Sequence, residues 1–356
     1  MSPRTDAATE EDREAPGEPA RSMSTPSAAK PVVFSGIQPT GQIHIGNYFG
    51  AVRRWAAEQD GAFNIFCLVD MHAITIPQDP ATLRAQIVET AAILFAAGID
   101  PEKSKLFVQS DVPEHGELAW YLNCVASMGE LNRMTQFKEK SGKQREQVRV
   151  GLFTYPLLMA ADILLYRTTA VPVGADQKQH VELTRDLAER FNARYGETFV
   201  VPQPAIPPVG ARIMGLDDPT KKMSKSEQKT GHAIGVLDPP ERIRKSIMSA
   251  KTDSGSEIRV DPERPGVTNL LHVYMAATGS SQADAEARFD GKGYGELKKT
   301  IAEALIEELR PLQERYRELR ANEDHLHALL RQAAADIRPI ARKTVDDVKR
   351  AMGVGH

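Results

Sequence analysis

The sequence predicts an α/β fold in which a parallel sheet is wrapped by helices, followed by an all-helical C-terminal third. Three observations carry this. Between residues 31 and 214, short β-branched apolar runs alternate with segments whose apolar residues recur at helical spacing. Continuous apolar runs are what strands buried on both faces require, and their alternation with helices marks parallel strands joined by helical crossovers. After Asp238 the strand signal stops and only helical periodicity remains. The first apolar run, Val32-Val33-Phe34, also enters a tight loop with Gly36, Pro39 and Gly41 before a helical segment opens at His44-Ile45-Gly46-Asn47. Strand, tight loop and helix start is how α/β proteins hold phosphates, because free N–H groups and the helix dipole face the anion.

In chain order, Met1 to Lys30 is rich in Ala, Pro, Ser, Glu and Arg and nearly free of large apolar side chains. It is expected to be a disordered, solvated tail. It has no apolar signal core, and its six acidic residues argue against a mitochondrial transit peptide. The opening strand leads into a helix over 48–59, and Phe63–Val69 is a second buried strand ending at Asp70-Met71-His72. A helix is expected over Pro80–Gly98, with Asp79 as its cap and Gly98 as its stop. Lys105–Gln109 is a third strand and Gly116–Val125 a helix. Tyr155–Tyr166 is a strongly apolar helix whose only charge is Asp162. Thr169–Val173 is a strand, and Gly174–Tyr195 a long helix with a polar face. A Pro-rich link, Val201–Gly210, precedes a short strand at Arg212-Ile213-Met214 and then the stretch Lys221-Lys222-Met223-Ser224-Lys225-Ser226. Helices follow over 239–251, 267–278, 281–289, 295–321 and 325–352.

The domain organisation expected from this is a tail over 1–30, an α/β domain over 31–217, a Lys-Ser loop with a helical domain over 218–321, and a C-terminal helix over 322–356 that packs back on the first domain. A chain of 356 residues with 41% hydrophobic content has ample core for it. No run of about 18 apolar residues occurs, so no membrane-spanning helix is expected. The net charge of -3 excludes global attraction to nucleic acid, so any polyanion must meet a local patch. Cys67 and Cys124 lie far apart without a C-x-x-C, which argues against a disulfide framework or a cysteine zinc site and for a reducing cytoplasm.

Two stretches carry the chemistry. In HIGN, Gly46 lets a nucleotide lie against the backbone where a Cβ would collide, and His44 and Asn47 supply neutral donors to phosphate or ribose oxygens. A histidine near a helix start is also often only a cap. The loop is neither G-x-G-x-x-G nor a Walker loop. The second stretch, KMSKS, offers mobile ammonium groups and hydroxyls suited to a triphosphate, though most lysine-rich loops are merely solvated. A phosphate site at the first turn and a Lys-Ser loop after the last strand would bracket a nucleotide from both sides.

HIGN resembles the first signature of the class I aminoacyl-tRNA synthetases, and KMSKS the second. FSGIQPTG, GELNRMTQFKEK, TYPLLMAADILLY, VPVGADQKQHVELTRDLAERF, GARIM and DPTKKMSKS are similar, in this order, to the bacterial tryptophanyl-tRNA synthetases. The resemblance runs from about Val32 to the C-terminus. It implies a Rossmann-type parallel-sheet catalytic domain with a helical C-terminal anticodon-binding domain. The activity it implies is the activation of tryptophan with Mg2+-bound ATP, followed by esterification of tRNA(Trp), by a cytoplasmic homodimer. Carried over by motif, Gln38, Pro39 and Thr40 line the ATP phosphates, Gly46 and Asn47 hold phosphate and ribose, and Gly174, Ala175 and Asp176 meet the ribose. The backbone of Ile213 meets adenine. Lys222, Met223, Ser224, Lys225 and Ser226 close over the pyrophosphate, and Lys140 is a further lysine on the triphosphate. Lys222, Lys225, Lys140 and Asn47 are the catalytic candidates. Ala175 departs from the family, which often has Glu there; a backbone contact makes that side chain dispensable.

In the amino-acid pocket so implied, Asp162 accepts the indole N–H, which is donor-only; a lone buried acid can equally be a structural carboxylate in a hydrogen-bond network. Phe34, Met159, Val171 and Val173 supply apolar walls. His72 follows a strand end, where ligands sit in open sheets, although a satisfied core histidine reads the same. Tyr155 and Gln177 hold the amino group by family likeness. Mg2+ is expected to travel with ATP, since no protein metal cage is visible in the sequence. For tRNA, Lys221 to Lys251 holds eight Lys/Arg against three acids, which suits phosphate contact or a solvated helix face. Two other classes stand beside this one: a cofactor adenylyltransferase, which HIGN alone fits, and a non-catalytic synthetase-like paralogue acting as a tryptophan or nucleotide sensor. The helical C-terminal third and KMSKS fit the first less well, and two intact signatures argue against the second.

Overall fold

The computed structural model describes residues 30–135, 149–172, 174, 177–205, 213–224 and 231–355. Five parallel strands, β1 (Val32–Ile37), β2 (Phe63–Leu68), β3 (Ser104–Val108), β4 (Ala170–Pro172) and β5 (Gln203–Ala205), lie in the order β3-β2-β1-β4-β5. The chain winds outward from β1 to β3, then returns to add β4 and β5 on the other side of β1. The strand order therefore reverses between β1 and β4, and the crevice at their C-terminal ends is where a Rossmann-type sheet binds ligands.

Period-two alternation assigns the strand side chains to two faces. Phe66, Leu68, Leu106 and Val108 join Ile45, Val52 and the C-terminal helices in one core, whereas Phe34, Ile65, Cys67, Val69 and Phe107 belong to a second. On the α/β side lie α1 (Ile45–Asn47), α2 (Arg53–Ala57), α3 (Asp70–Ala73), α4 (Pro80–Ala96), α5 (Glu114–Asn123), α6 (Met128–Arg133), α7 (Val150–Leu164) and α8 (Lys178–Tyr195). α4 starts as its sequence signals require: Asp79 accepts the Thr82 N–H at 2.8 Å, Pro80 stands at the first turn, and Gly98 follows with φ +108.

The C-terminal part is helical among the described residues: α9 (Pro240–Met248), α10 (Pro265–Thr278), α11 (Gln282–Phe289), α12 (Tyr294–Arg320) and α13 (Glu323–Met352). α13 bridges both cores. Leu326 and Leu330 sit in the first, and Ile337, Ala341, Val345 and Val348 in the second. It packs on α5 and along β3 at the sheet edge. Arg338 reaches the buried Glu114 at 3.0 Å, and Lys105 reaches Asp336 at 2.7 Å. No described helix is long and apolar enough to cross a membrane.

Three elements differ from the sequence reading. The helix expected over 48–59 is interrupted by a π turn, Tyr48–Val52, between α1 and α2. β5 lies in the Pro-rich stretch expected to be a link. Pro204 is tolerated because β5 is the edge strand, while the Gln203 N–H still donates to Thr169 O at 2.9 Å. The strand expected at Arg212–Met214 reduces to one bridge between Met214 and Lys222, and Arg212 lies outside the described residues. The reading of residues 1–29 lies outside them as well.

Candidate active site

A cavity of about 540 Å³ opens at the C-terminal ends of β1 and β4. Its walls bring together Phe34, Gln38, Asn47, His72, Tyr155, Met159, Asp162, Val171, Gly174, Gln177 and Lys222. These residues come from β1 and the loop after it, α1, α3, α7, β4, the loop before α8 and the first residue of KMSKS. The sheet supplies one apolar wall through Phe34 and Val171, and α7 faces it with Met159 and Asp162. Gln38, Asn47 and Lys222 supply the polar part. Ser35 and Trp55 line the same cavity without having stood out in the sequence, and the buried Ser35 hydroxyl makes no hydrogen bond to the described residues.

The HIGN stretch is a capping box. The His44 Nδ1 accepts the Asn47 N–H at 3.2 Å, and the Asn47 Oδ1 accepts the His44 N–H at 3.3 Å. His44 is buried and pairs in antiparallel fashion with Gly235, while the Ile45 N–H donates to Ile234 O at 2.9 Å. The main-chain donors of Ile45 and Asn47, expected to face an anion, are thus spent inside the protein. What Asn47 presents to the cavity is its position on the wall, and His44 acts from behind it. A Cβ on Gly46 would meet the His44 ring at 3.0 Å and Met223 Cβ at 3.5 Å, so a side chain there would press the cap apart.

Asp162 is held by three neighbours. Its Oδ1 takes the Gln109 Nε2 at 2.6 Å and the His115 Nδ1 at 2.6 Å, and its Oδ2 lies 2.8 Å from His72 Nε2. Behind His115, Nε2 meets the Tyr166 hydroxyl at 2.7 Å. Burial pushes the Asp162 carboxyl up, and the charge and hydrogen bonds of His72 and His115 more than offset it, holding the group well below the usual carboxylate range. Asp162 is therefore a networked buried acid, and the same group lies on the cavity wall. Its Oδ2 has one described partner and retains capacity to accept another donor. His72 likewise lines the cavity and bonds the network.

Lys222 is placed by a short hairpin. Met223 N–H donates to Ile213 O at 3.2 Å and Gly215 N–H to Lys221 O at 2.8 Å. On α10, Asn269 accepts the Met214 N–H at 2.8 Å and donates to Met214 O at 3.0 Å, tying the hairpin to the helical domain. Lys221 turns to Asp218 at 3.4 Å, and Lys222 reaches the cavity. Ile213 and Met223 are buried in the first core, and Pro39, Thr40, Gly46 and Ser224 are not among the residues that line the cavity. Lys140, Val173, Ala175, Asp176, Lys225 and Ser226 lie outside the described residues.

Sequence reasoning missed Gln109, His115 and Tyr166. Tyr166 ends the apolar stretch that holds Asp162, in the turn just beyond α7. Gln109 and His115 come from other elements and carry no local signal for this contact.

The family model described as tRNA synthetases class I (W and Y) matches residues 27–310. The tryptophan–tRNA ligase of Wolinella succinogenes is 58% identical over 322 residues, spanning 90% of this chain and 98% of that protein. That of Helicobacter pylori is 55% identical over 322 residues, with the same shares of 90% and 98%. The crystal structure of tryptophanyl-tRNA synthetase from Mycoplasma pneumoniae matches with a TM-score of 0.82 and 36% identity, covering 92% of this chain and 98% of that one. The Campylobacter jejuni enzyme complexed with ADP and tryptophan matches with a TM-score of 0.79 and 35% identity, covering 91% and 100%.

Proposed function

The chain belongs to the tryptophan and tyrosine branch of the class I tRNA synthetases, and from that premise we propose how its cavity works as a tryptophan–tRNA ligase. The enzyme activates L-tryptophan with ATP to tryptophanyl-adenylate and pyrophosphate, then transfers tryptophan to the 3'-terminal adenosine of tRNA(Trp). No covalent nucleophile is required. A tryptophan carboxylate oxygen attacks the α-phosphorus in line as the bond to the pyrophosphate oxygen breaks, and the protein orients the reactants and stabilises charge on the leaving group.

The observation that carries this reading is the two-sided cavity: apolar walls with one carboxylate, Asp162, beside a polar part with Gln38, Asn47, Gly174 and Lys222. The indole sits against Phe34, Met159 and Val171, with its N–H on Asp162. Tyr155 and Gln177 take the amino group. Gln38, Asn47 and Gly174 face the nucleotide, with Pro39, Thr40, Ala175, Asp176 and the Ile213 backbone assigned to it by family resemblance. Lys222, Lys225 and Lys140 neutralise the triphosphate, and the hydroxyls of Ser224 and Ser226 donate hydrogen bonds to it. Asp162 is the carboxylate of the described cavity walls and is committed to Gln109, His72 and His115. Mg2+ is therefore assigned to ATP, as part of that substrate, and no step is routed through it. The helices from Pro240 to Arg320 are assigned to the anticodon arm, and two copies form the working enzyme. A chain with two unpaired cysteines that acts on tRNA belongs in the cytoplasm.

Tryptophan-dependent ATP–pyrophosphate exchange, followed by charging of total bacterial tRNA, tests the reading. Exchange with tryptophan and stable charging of tRNA are expected. Exchange driven by another amino acid, or tryptophan binding without exchange, would overturn it.

A further inference from the structure

We propose that the buried chain Tyr166–His115–Asp162, completed by His72 and Gln109, sets the amino-acid selectivity of the cavity, with His115 as a positioning residue that locks Asp162 as a fixed hydrogen-bond acceptor. The inference rests on the reading of Asp162 as the partner of the indole N–H.

The geometry determines the hydrogens that face Asp162. A carboxylate only accepts, so each nitrogen facing Asp162 must carry hydrogen. The Gln109 amide cannot be reversed, because its Oε1 accepts the Met71 N–H at 3.1 Å while its Nε2 faces Asp162 at 2.6 Å. His115 donates from Nδ1 to Asp162, and its Nε2 is held by the Tyr166 hydroxyl at 2.7 Å, so the ring cannot turn away from the carboxylate. Tyr166 is itself immobile: it is fully buried and stacks on the wall residue Phe34 with 6.0 Å between ring centres and an 11° interplanar angle. Oδ1 of Asp162 is saturated from behind, and the carboxylate cannot turn. Oδ2, with His72 alone, is the atom left to meet a donor from the cavity.

Selectivity follows from that lock. Tryptophan brings an N–H to Oδ2, and phenylalanine brings none, leaving a desolvated charge partly unpaired. A carboxyl that could rotate or take up a proton would lose the distinction. The titratable groups around Asp162 are His72 on α3, His115 on α5, Cys67 on β2 and Tyr166 just beyond α7, with Asp70, Asp111 and Glu114 near Cys67 and Tyr166. Glu114 carries its own partner, Arg338. The two histidines are what offset burial at Asp162. Removing His115 therefore raises the carboxyl toward protonation, and the variant loses its preference for tryptophan as pH falls. In the wild type the acid stays ionised through the assay range and the preference is flat.

The test measures kcat/KM for tryptophan- and phenylalanine-dependent exchange from about pH 6 to about pH 8.5, with wild type, His115→Leu, His115→Asn, Tyr166→Phe and Asp162→Asn. His115→Leu should lower the tryptophan preference about tenfold near neutrality, and more as pH falls. His115→Asn, whose amide nitrogen can stand where Nδ1 stood, should recover most of it. Tyr166→Phe, which keeps the ring and loses only the orienting hydroxyl, should give a smaller loss with the same pH slope, and it serves if His115→Leu does not fold. Asp162→Asn should lose the preference at every pH. A folded His115→Leu or Tyr166→Phe protein with full, flat preference overturns the lock while Asp162→Asn still fails. Full preference in Asp162→Asn overturns the reading of Asp162 itself.

Discussion

Replacing Asp162 by alanine removes an acceptor from three donors at once, and the structure separates its effects on stability and on specificity. Gln109 and His115 are completely buried, so the donors they aimed at Asp162 cannot be rescued by solvent; His72 lines the cavity and can be reached by water. Two orphaned donors at about 1–3 kcal/mol each give a gross cost of about 2–6 kcal/mol. Removing a buried charge returns part of this, because its desolvation is no longer required. A net loss of about 2–4 kcal/mol is expected, seen as a melting temperature lower by several degrees. Asp162→Asn should lose less. Its amide oxygen still accepts from Gln109 and His115, and its NH2 can face His72 in the other tautomer. Both variants lack the acceptor for the indole N–H, so kcat/KM for tryptophan should fall by at least about 10²-fold, the worth of a charge-assisted hydrogen bond. The value for phenylalanine should hold or rise, because its penalty has gone. Exchange kinetics with both amino acids, alongside thermal melts, decide the matter. A folded Asp162→Ala protein that keeps the full tryptophan-to-phenylalanine ratio would mean that Asp162 is a structural acid and selection lies elsewhere.

Lys225→Ala should lower kcat for exchange by about 10²-fold or more with a smaller effect on the KM for tryptophan; a raised KM for ATP with kcat untouched would make the lysine a ground-state clamp. Asn269→Ala should cost about 2–4 kcal/mol by stranding both main-chain groups of Met214, and should lower exchange by loosening the hairpin that carries Lys222; a destabilised variant with unchanged kinetics would show that Lys222 is placed by other contacts. The Arg190 guanidinium, which donates to both oxygens of Glu130 at 2.5 and 3.0 Å, holds its carboxyl down at about 2 against an ordinary 4.5. A depressed folded value contributes stability that is complete above about pH 4.5 and lost as pH falls toward about 2. Glu130→Gln should therefore flatten the acid limb of the stability profile, and acid melts in which it unfolds as steeply as wild type would refute the assignment.

Strands and helices were legible where the local signal and the tertiary demand agree. Phe63–Leu68 is buried nearly throughout and reads as an apolar run, Val32-Val33-Phe34 opens β1 as another, and α4 announces its own ends through Asp79, Pro80 and Gly98. β5 was hidden because an edge strand needs little beyond one available row of hydrogen-bonding groups, so Pro202 and Pro204 spoke louder than the pairing. The π turn left no trace, since its residues are those of an ordinary amphipathic helix.

The same division runs through the site. By itself the sequence determined the α/β-then-α order, the two signature stretches and the lone acid of an apolar helix, because each is a pattern within one segment. With the family resemblance these patterns let Phe34, Met159, Asp162 and Val171 be named together, and they line one cavity. Only the tertiary structure decided what surrounds Asp162. Gln109 and His115 arrive from the two elements that follow β3, and the hairpin bearing Lys222 is tied down by Asn269, 55 residues away. Hydrogen bonds depend on distances of a few tenths of an ångström and on angles. Such precision belongs to packed elements meeting in space, and no spacing within a single segment encodes it.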